Sequence, residues 1–91
     1  MFELEMTSRF RKSYKKLHPN EQKAIKESLV LLADSPPFHP SLRTKPIQGT
    51  KAIFEASVNM DIRNSWEYHS ELENTLLIRN CGHHDELLNK P

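Results

Sequence analysis

Residues 81–86 read Cys-Gly-His-His-Asp-Glu, which puts two imidazoles and two carboxylates behind a glycine at the end of the apolar run 75–80. Histidine can take or give a proton near neutral pH, so this stretch is equipped for general acid–base chemistry. The chain has 2 glycines, and placing one directly before His83, His84 and Asp85 predicts a backbone that turns there. Neighbouring histidines on an extended chain point apart, and even with His69 as a third donor the spacing is not that of a zinc site; no metal or cofactor is expected. Cys81, the single cysteine, excludes an internal disulfide and reads as a structural thiol rather than a nucleophile.

The elements that must position this corner follow from periodicity. Phe2, Leu4 and Met6 alternate with Glu3 and Glu5, the pattern of a strand with one buried face. Thr7 or Ser8 then caps a helix whose apolar stripe is Phe10, Tyr14 and Leu17, with Arg11, Lys12, Lys15 and Lys16 on its other faces. His18-Pro19 ends it, and Asn20 is placed to cap a second helix over residues 21–33 with the stripe Ile25, Leu29 and Leu32. Three prolines within residues 34–40 dictate a loop.

Beyond that loop the period changes to two. Residues 53–58 and 62–69 read as strands joined by a turn at 59–61, and a polar tip at 70–74 closes a hairpin onto residues 76–80. In the second of these strands Ile62, Trp66 and Tyr68 share a face that Asn64 interrupts, while Arg63, Ser65, Glu67 and His69 take the other. The order β-α-α-β-β-β, without repeats, predicts one α+β domain over residues 1–91: a helical hairpin on one face of a mostly antiparallel sheet.

Composition sets the bounds. With 36% hydrophobic residues and a mean hydropathy of -0.70, the 91-residue chain is poor in apolar surface for its size, which predicts a partner covering part of it. A net charge of +1 excludes a uniformly basic binder, so any nucleic-acid contact must rest on two local clusters, Arg9 to Lys16 and Arg43, Lys45 and Lys51. The basic helix face is either solvated or a surface for phosphates or an acidic partner. No signal peptide and no apolar span long enough for a membrane are read, so a reducing cytoplasm is expected.

The sheet face opposite the helices is where chemistry could sit. Arg63, Glu67 and Arg79 project there, with Lys45 and the residue 82–85 corner at its border. Metal-independent RNA cleavage needs a base for the 2′-OH, an acid for the leaving 5′-oxygen and cations for the phosphorane, and this face holds those residue types. A guanidinium such as that of Arg63 can hold two phosphate oxygens at once. The plainer alternative for Arg63 is an exposed ion pair with Glu67, and for Trp66 and Tyr68 a place in the core.

Residues 42–49 (Leu-Arg-Thr-Lys-Pro-Ile-Gln-Gly), 54–58 (Phe-Glu-Ala-Ser-Val), 61–63 (Asp-Ile-Arg), 66–68 (Trp-Glu-Tyr) and 81–87 (Cys-Gly-His-His-Asp-Glu-Leu) resemble, in order and spacing, the RelE/ParE superfamily of bacterial toxins. The likeness spans nearly the whole chain and is strongest to YafQ-like and RelE-like messenger-RNA interferases. It implies a RelE-like fold and a type II toxin that binds the ribosome, cleaves mRNA and is silenced by a cognate antitoxin. It also implies His84 and Asp85 as the Gly-x-His-Asp acid–base pair, Arg63 at the scissile phosphate, Asp61 as a catalytic aspartate and Lys45 as a further catalytic cation. Arg43, Lys51, Arg79, His83, Lys15 and Lys16 are the expected RNA contacts. Two positions depart from the pattern: Ser57 stands where YafQ-like sequences have histidine, and Leu88 where an aromatic is usual. The alternatives are a ParE-like binder of DNA gyrase without nuclease chemistry, and a degenerate toxin that only binds its antitoxin in a complex on operator DNA.

Overall fold

The computed structural model describes residues 1–34, 38–57, 59 and 61–91. The elements are β1 (Glu3–Met6), α1 (Ser8–Lys15), α2 (Pro19–Asp34), a 3-10 turn (Pro40–Leu42), β2 (Lys45–Pro46), β3 (Phe54–Ala56), β4 (Ile62–Tyr68), β5 (Thr75–His83) and α3 (His84–Asn89). The sheet order is β1-β5-β4-β3-β2; β1 runs parallel to β5 and the remaining pairs are antiparallel. This is the expected α+β arrangement with two additions, the two-residue β2 and the C-terminal α3.

Thr7 joins the first strand to the first helix. Its N–H donates to the Ile78 carbonyl at 3.1 Å, its Oγ1 accepts from the Phe10 N–H at 3.1 Å and donates to the Arg79 carbonyl at 2.7 Å. The second helix starts at Pro19, ahead of the expected Asn20 cap. Proline at the first helical position gives up no hydrogen bond, and the Glu21 carboxylate reaches back to the His18 N–H at 2.9 Å. Two of the expected features, the residue 34–40 loop and the strand and turn over 53–61, fall partly on residues 35–37, 58 and 60, which lie outside the described residues.

The helical hairpin packs on one sheet face around Phe10, Ile25, Leu32, Trp66, Leu76 and Ile78, all buried. Asn64, which interrupts the apolar pattern of β4, stays on this face: its Nδ2 donates to Ser28 Oγ at 2.6 Å, and Ser28 Oγ donates to the Ile25 carbonyl at 2.7 Å. Trp66 is fully buried and stacks on Phe54 with ring centroids 4.8 Å apart, whereas Tyr68, expected in the core, is exposed at the end of β4. An irregularity in register lies between Ser65 and Trp66: Ser65 pairs with Asn80 but Trp66 with Ile78, so Arg79 is the additional residue on β5. Such a bulge re-aims the strand without reversing its faces.

β5 continues through Gly82 to His83 and turns one residue later than expected, at His83–His84. Gly82 has φ +155°, which L side chains rarely adopt, and it pairs with Arg63. α3 then returns across the sheet face away from the hairpin. Its end is tied down by Ser65 Oγ and Arg79 Nε donating to the Pro91 carbonyl (3.1 and 3.2 Å) and by Asn80 Nδ2 donating to that of Lys90 (2.7 Å). Among the described residues no helix is long and apolar enough to cross a membrane.

Ser28→Ala leaves the Asn64 amide without its acceptor and is expected to cost about 1–3 kcal/mol; Ser28→Ala/Asn64→Val, which removes both polar partners, recovers most of that loss in urea unfolding. Cys81 is buried and its thiol is pushed up from 9.0 to about 12 by desolvation. Because the folded state holds the thiol proton more tightly, the resulting stability is full below pH about 9 and is lost as pH rises toward 12. In the folded protein at pH 8 Cys81 should resist alkylating reagents, and in urea it should react at once.

Candidate active site

The register of three strands assembles the site. Lys45 pairs with Glu55 and Glu55 with Ser65, so these three side chains form a row on the face opposite the hairpin. Arg63 lies two residues from Ser65 on β4 and shares its face. His84, the first residue of α3, comes down onto the same face as the chain turns back.

Glu55 is the centre of the group, with 1% of its surface exposed. Its Oε1 accepts from Arg63 Nη1 at 2.5 Å and lies 3.5 Å from Lys45 Nζ; its Oε2 lies 3.2 Å from His84 Nδ1. Two cations and an imidazole thus surround one carboxylate, the arrangement that lets a charge stay buried. The His84 side chain is 36% exposed and that of Lys45 59%, so both are reachable from solvent while the carboxylate is not.

His84 Nδ1 faces two partners of opposite demand. Arg63 Nη1, 3.0 Å away, can only donate to it, and Glu55 Oε2 can only accept from it while ionised. With the proton on Nδ1 the ring donates to Glu55 and Nε2 carries the lone pair; with the proton on Nε2 the ring accepts from Arg63. The carboxylate and the guanidinium therefore select between tautomers.

Of the residues expected in the site, Lys45, Arg63 and His84 come together. Asp61 is exposed before β4, its N–H donating to Asn59 Oδ1 at 3.0 Å, and Asp85 is exposed in the first turn of α3. Arg63 does not pair with Glu67: Glu67 Oε2 accepts from Arg79 Nη1 at 3.1 Å, because Arg79 is the additional bulge residue and lies over Glu67. Arg79 is thereby held by Glu67 and the Pro91 carbonyl, away from Glu55. His83 points to the hairpin side, its Nε2 3.4 Å from Glu21 Oε2, and His69 is held by Glu5 at 3.1 Å. Arg43 (φ 50°) and Lys51 are exposed on the loops flanking β2, and Lys15 and Lys16 on the hairpin. Ser57 is buried, its N–H donating to the Leu42 carbonyl at 2.7 Å, while Leu88 is 43% exposed on α3.

Glu55 is the residue that sequence reasoning missed. Its parity, opposite to Phe54 and Ala56, places it on the polar face; what singles it out is the β3–β4 register, which no local pattern announces.

No family model matches the sequence, and no curated protein matches it. Solved structures do. Escherichia coli YafQ superposes with a TM-score of 0.67 at 18% identity, over 96% of this chain and 98% of that one. The toxin–antitoxin complex RelBE of E. coli matches with a TM-score of 0.70 at 17% identity, over 91% of this chain and 96% of that one. The archaeal RelE–RelB complex of Pyrococcus horikoshii matches at 0.70 and 13%, over 90% and 93%. At these identities the likeness establishes a shared fold: the chain has the RelE-like fold.

Glu55→Ala would remove the short ion pair of the Arg63 guanidinium, whose side chain is 14% exposed, and is expected to cost about 3–5 kcal/mol. Glu55→Ala/Arg63→Ala should be less destabilised than the sum of the two single variants. A double-mutant cycle by urea unfolding reads that coupling.

Proposed function

We propose that this protein is the toxin of a type II toxin–antitoxin pair, a metal-independent endoribonuclease that cleaves messenger RNA on the ribosome and so halts translation. The observation that carries this reading is the Glu55–Arg63–His84 group with Lys45 at its rim, set on the face of a RelE-like sheet away from the hairpin. The structures of the same fold include toxins bound to their antitoxins, and the low apolar content of this chain suits a partner that covers part of it.

Glu55 holds the Nδ1–H tautomer of His84, which leaves the lone pair on Nε2 of a side chain that is 36% exposed. Nε2 takes the proton of the ribose 2′-OH as its oxygen attacks the adjacent phosphorus. Arg63 and Lys45 stabilise the charge that collects on the phosphorane oxygens. The P–O5′ bond breaks, and Lys45 Nζ, the exposed cation beside the carboxylate, supplies the proton to the leaving oxygen. The products are a 2′,3′-cyclic phosphate and a 5′-hydroxyl. Glu55 touches no substrate; it positions the histidine. None of these groups depends on the histidine absent at Ser57 or the aromatic absent at Leu88. A gyrase binder has no use for such a group, which disfavours that alternative.

Antitoxin binding in the cytoplasm, and repression of the operon through operator DNA by the complex, complete the reading. The test is induction of the wild type, His84→Ala and Arg63→Ala, with mRNA 5′ ends mapped by primer extension. New ends and arrested translation should accompany the wild type, and each variant should cut about 10²–10⁴-fold more slowly. Arrest without new ends would point to another target, and folded wild type without arrest to an antitoxin-binding remnant.

A further inference from the structure

The basic face of α1 is divided between two sides of the hairpin. Arg11 and Lys15 lie beside Met6, Tyr14 and Leu29. Arg9, Lys12 and Lys16, at i, i+3 and i+7, turn the other way and line one wall of a groove of about 700 Å³ whose opposite wall is the end of β5 and α3. Lys90 adds a fourth cation from beyond α3, and His18 and His83 lie between. None of Arg9, Lys12, Lys16 and Lys90 forms an ion pair within 4 Å among the described residues. The two carboxylates of the groove are Glu21, 3.4 Å from His83, and Glu86.

We infer that this groove is a second binding surface, which takes the phosphate backbone of RNA flanking the cleaved bond. Four fixed cations outnumber two carboxylates, so the groove favours an anion. Its apolar lining is confined to Leu17, Cys81 and Leu87, and Cys81 and Leu87 are buried, so an acidic peptide would find little to anchor an apolar side chain. A polyanionic backbone needs charges at intervals and no such anchor. Arg9 and Lys16 are separated by roughly 10 Å along the helix, a span of more than one phosphate.

The groove and the candidate active site lie back to back. His83 faces the groove and the next residue, His84, faces Glu55; their Cα atoms are one trans peptide, about 3.8 Å, apart. A strand that passes from the candidate active site around the start of α3 therefore has a short path to the groove. The inference rests on the nuclease reading for the identity of the polyanion, but binding and cleavage fail separately.

The test uses the full chain and a fluorescein-labelled 2′-O-methyl RNA 20-mer, which lacks the attacking hydroxyl and stays uncut. Anisotropy titrations from 50 to 200 mM salt compare the wild type with Lys12→Ala/Lys16→Ala and with Lys23→Ala/Lys26→Ala, which removes the same charge from α2. The groove pair should weaken binding roughly tenfold at 100 mM salt and make the slope of log K against log salt shallower by about 1.4, while the α2 pair changes affinity less than about twofold. Equal losses in both pairs, or no RNA binding by the wild type, would overturn the inference. So would groove-dependent binding of a polyglutamate of equal length that exceeds that of the RNA, which would assign the groove to an acidic protein segment. Groove-dependent binding by a wild type that never cuts unmodified RNA would uphold the groove and sink the nuclease alone.

Discussion

A carboxylate that is 1% exposed stays charged only where positive charge surrounds it, and much of the sheet face away from the hairpin is arranged around this requirement at Glu55. The two cations and the imidazole that surround it arrive from different parts of the chain. Arg63 comes from the neighbouring strand, Lys45 from a two-residue strand whose pairing with β3 sets it opposite Glu55, and His84 from the turn into α3. Arg63 and Lys45 are held by strand pairing and His84 by the helix that begins at the end of β5, none of them by a long flexible loop. Gly82 contributes through its backbone: it pairs with Arg63 at φ +155°, which L side chains rarely adopt, although a Cβ there would meet only an ordinary contact, Glu86 Oε2 at 3.8 Å.

The same strand carries two kinds of polar residue with opposite purposes. Asn64 is buried on the hairpin side and satisfied in part by Ser28, so its polarity is spent inside the core. Arg63, one residue earlier, faces the other way and meets Glu55. Strand alternation separates a structural amide from the guanidinium of the candidate site across a single peptide bond. The pattern repeats at His83 and His84, where one imidazole joins the groove beside the hairpin and the next joins the carboxylate.

Much of this was legible in the sequence. Period-two runs gave the strands, the stripes Phe10, Tyr14, Leu17 and Ile25, Leu29, Leu32 gave the hairpin, and the resemblance named a fold that solved structures share at 13–18% identity. What escaped was set by contacts distant in sequence. Local spacing suggested Glu67 as the partner of Arg63, but the bulge at Arg79 gives Glu67 a different cation and leaves Arg63 to Glu55 on β3. The glycine at position 82 suggests a turn because glycine permits one, but pairing with β4 extends the strand past it. Asp61 and Asp85 carried the right chemistry by type and position, yet neither is directed at the Glu55 group, since one precedes β4 and the other lies on the exposed side of α3.

The central claim is that Glu55 acts through His84 by holding its Nδ1 proton, and the direct measurement is the imidazole ¹⁵N spectrum of selectively labelled protein at a pH where His84 is neutral. The account predicts a protonated Nδ1 and a bare Nε2 for His84, with the preference lost in Glu55→Gln. A bare Nδ1 accepting from Arg63, with the proton on Nε2 in the wild type, would contradict it and would make Arg63 the group that orients the ring.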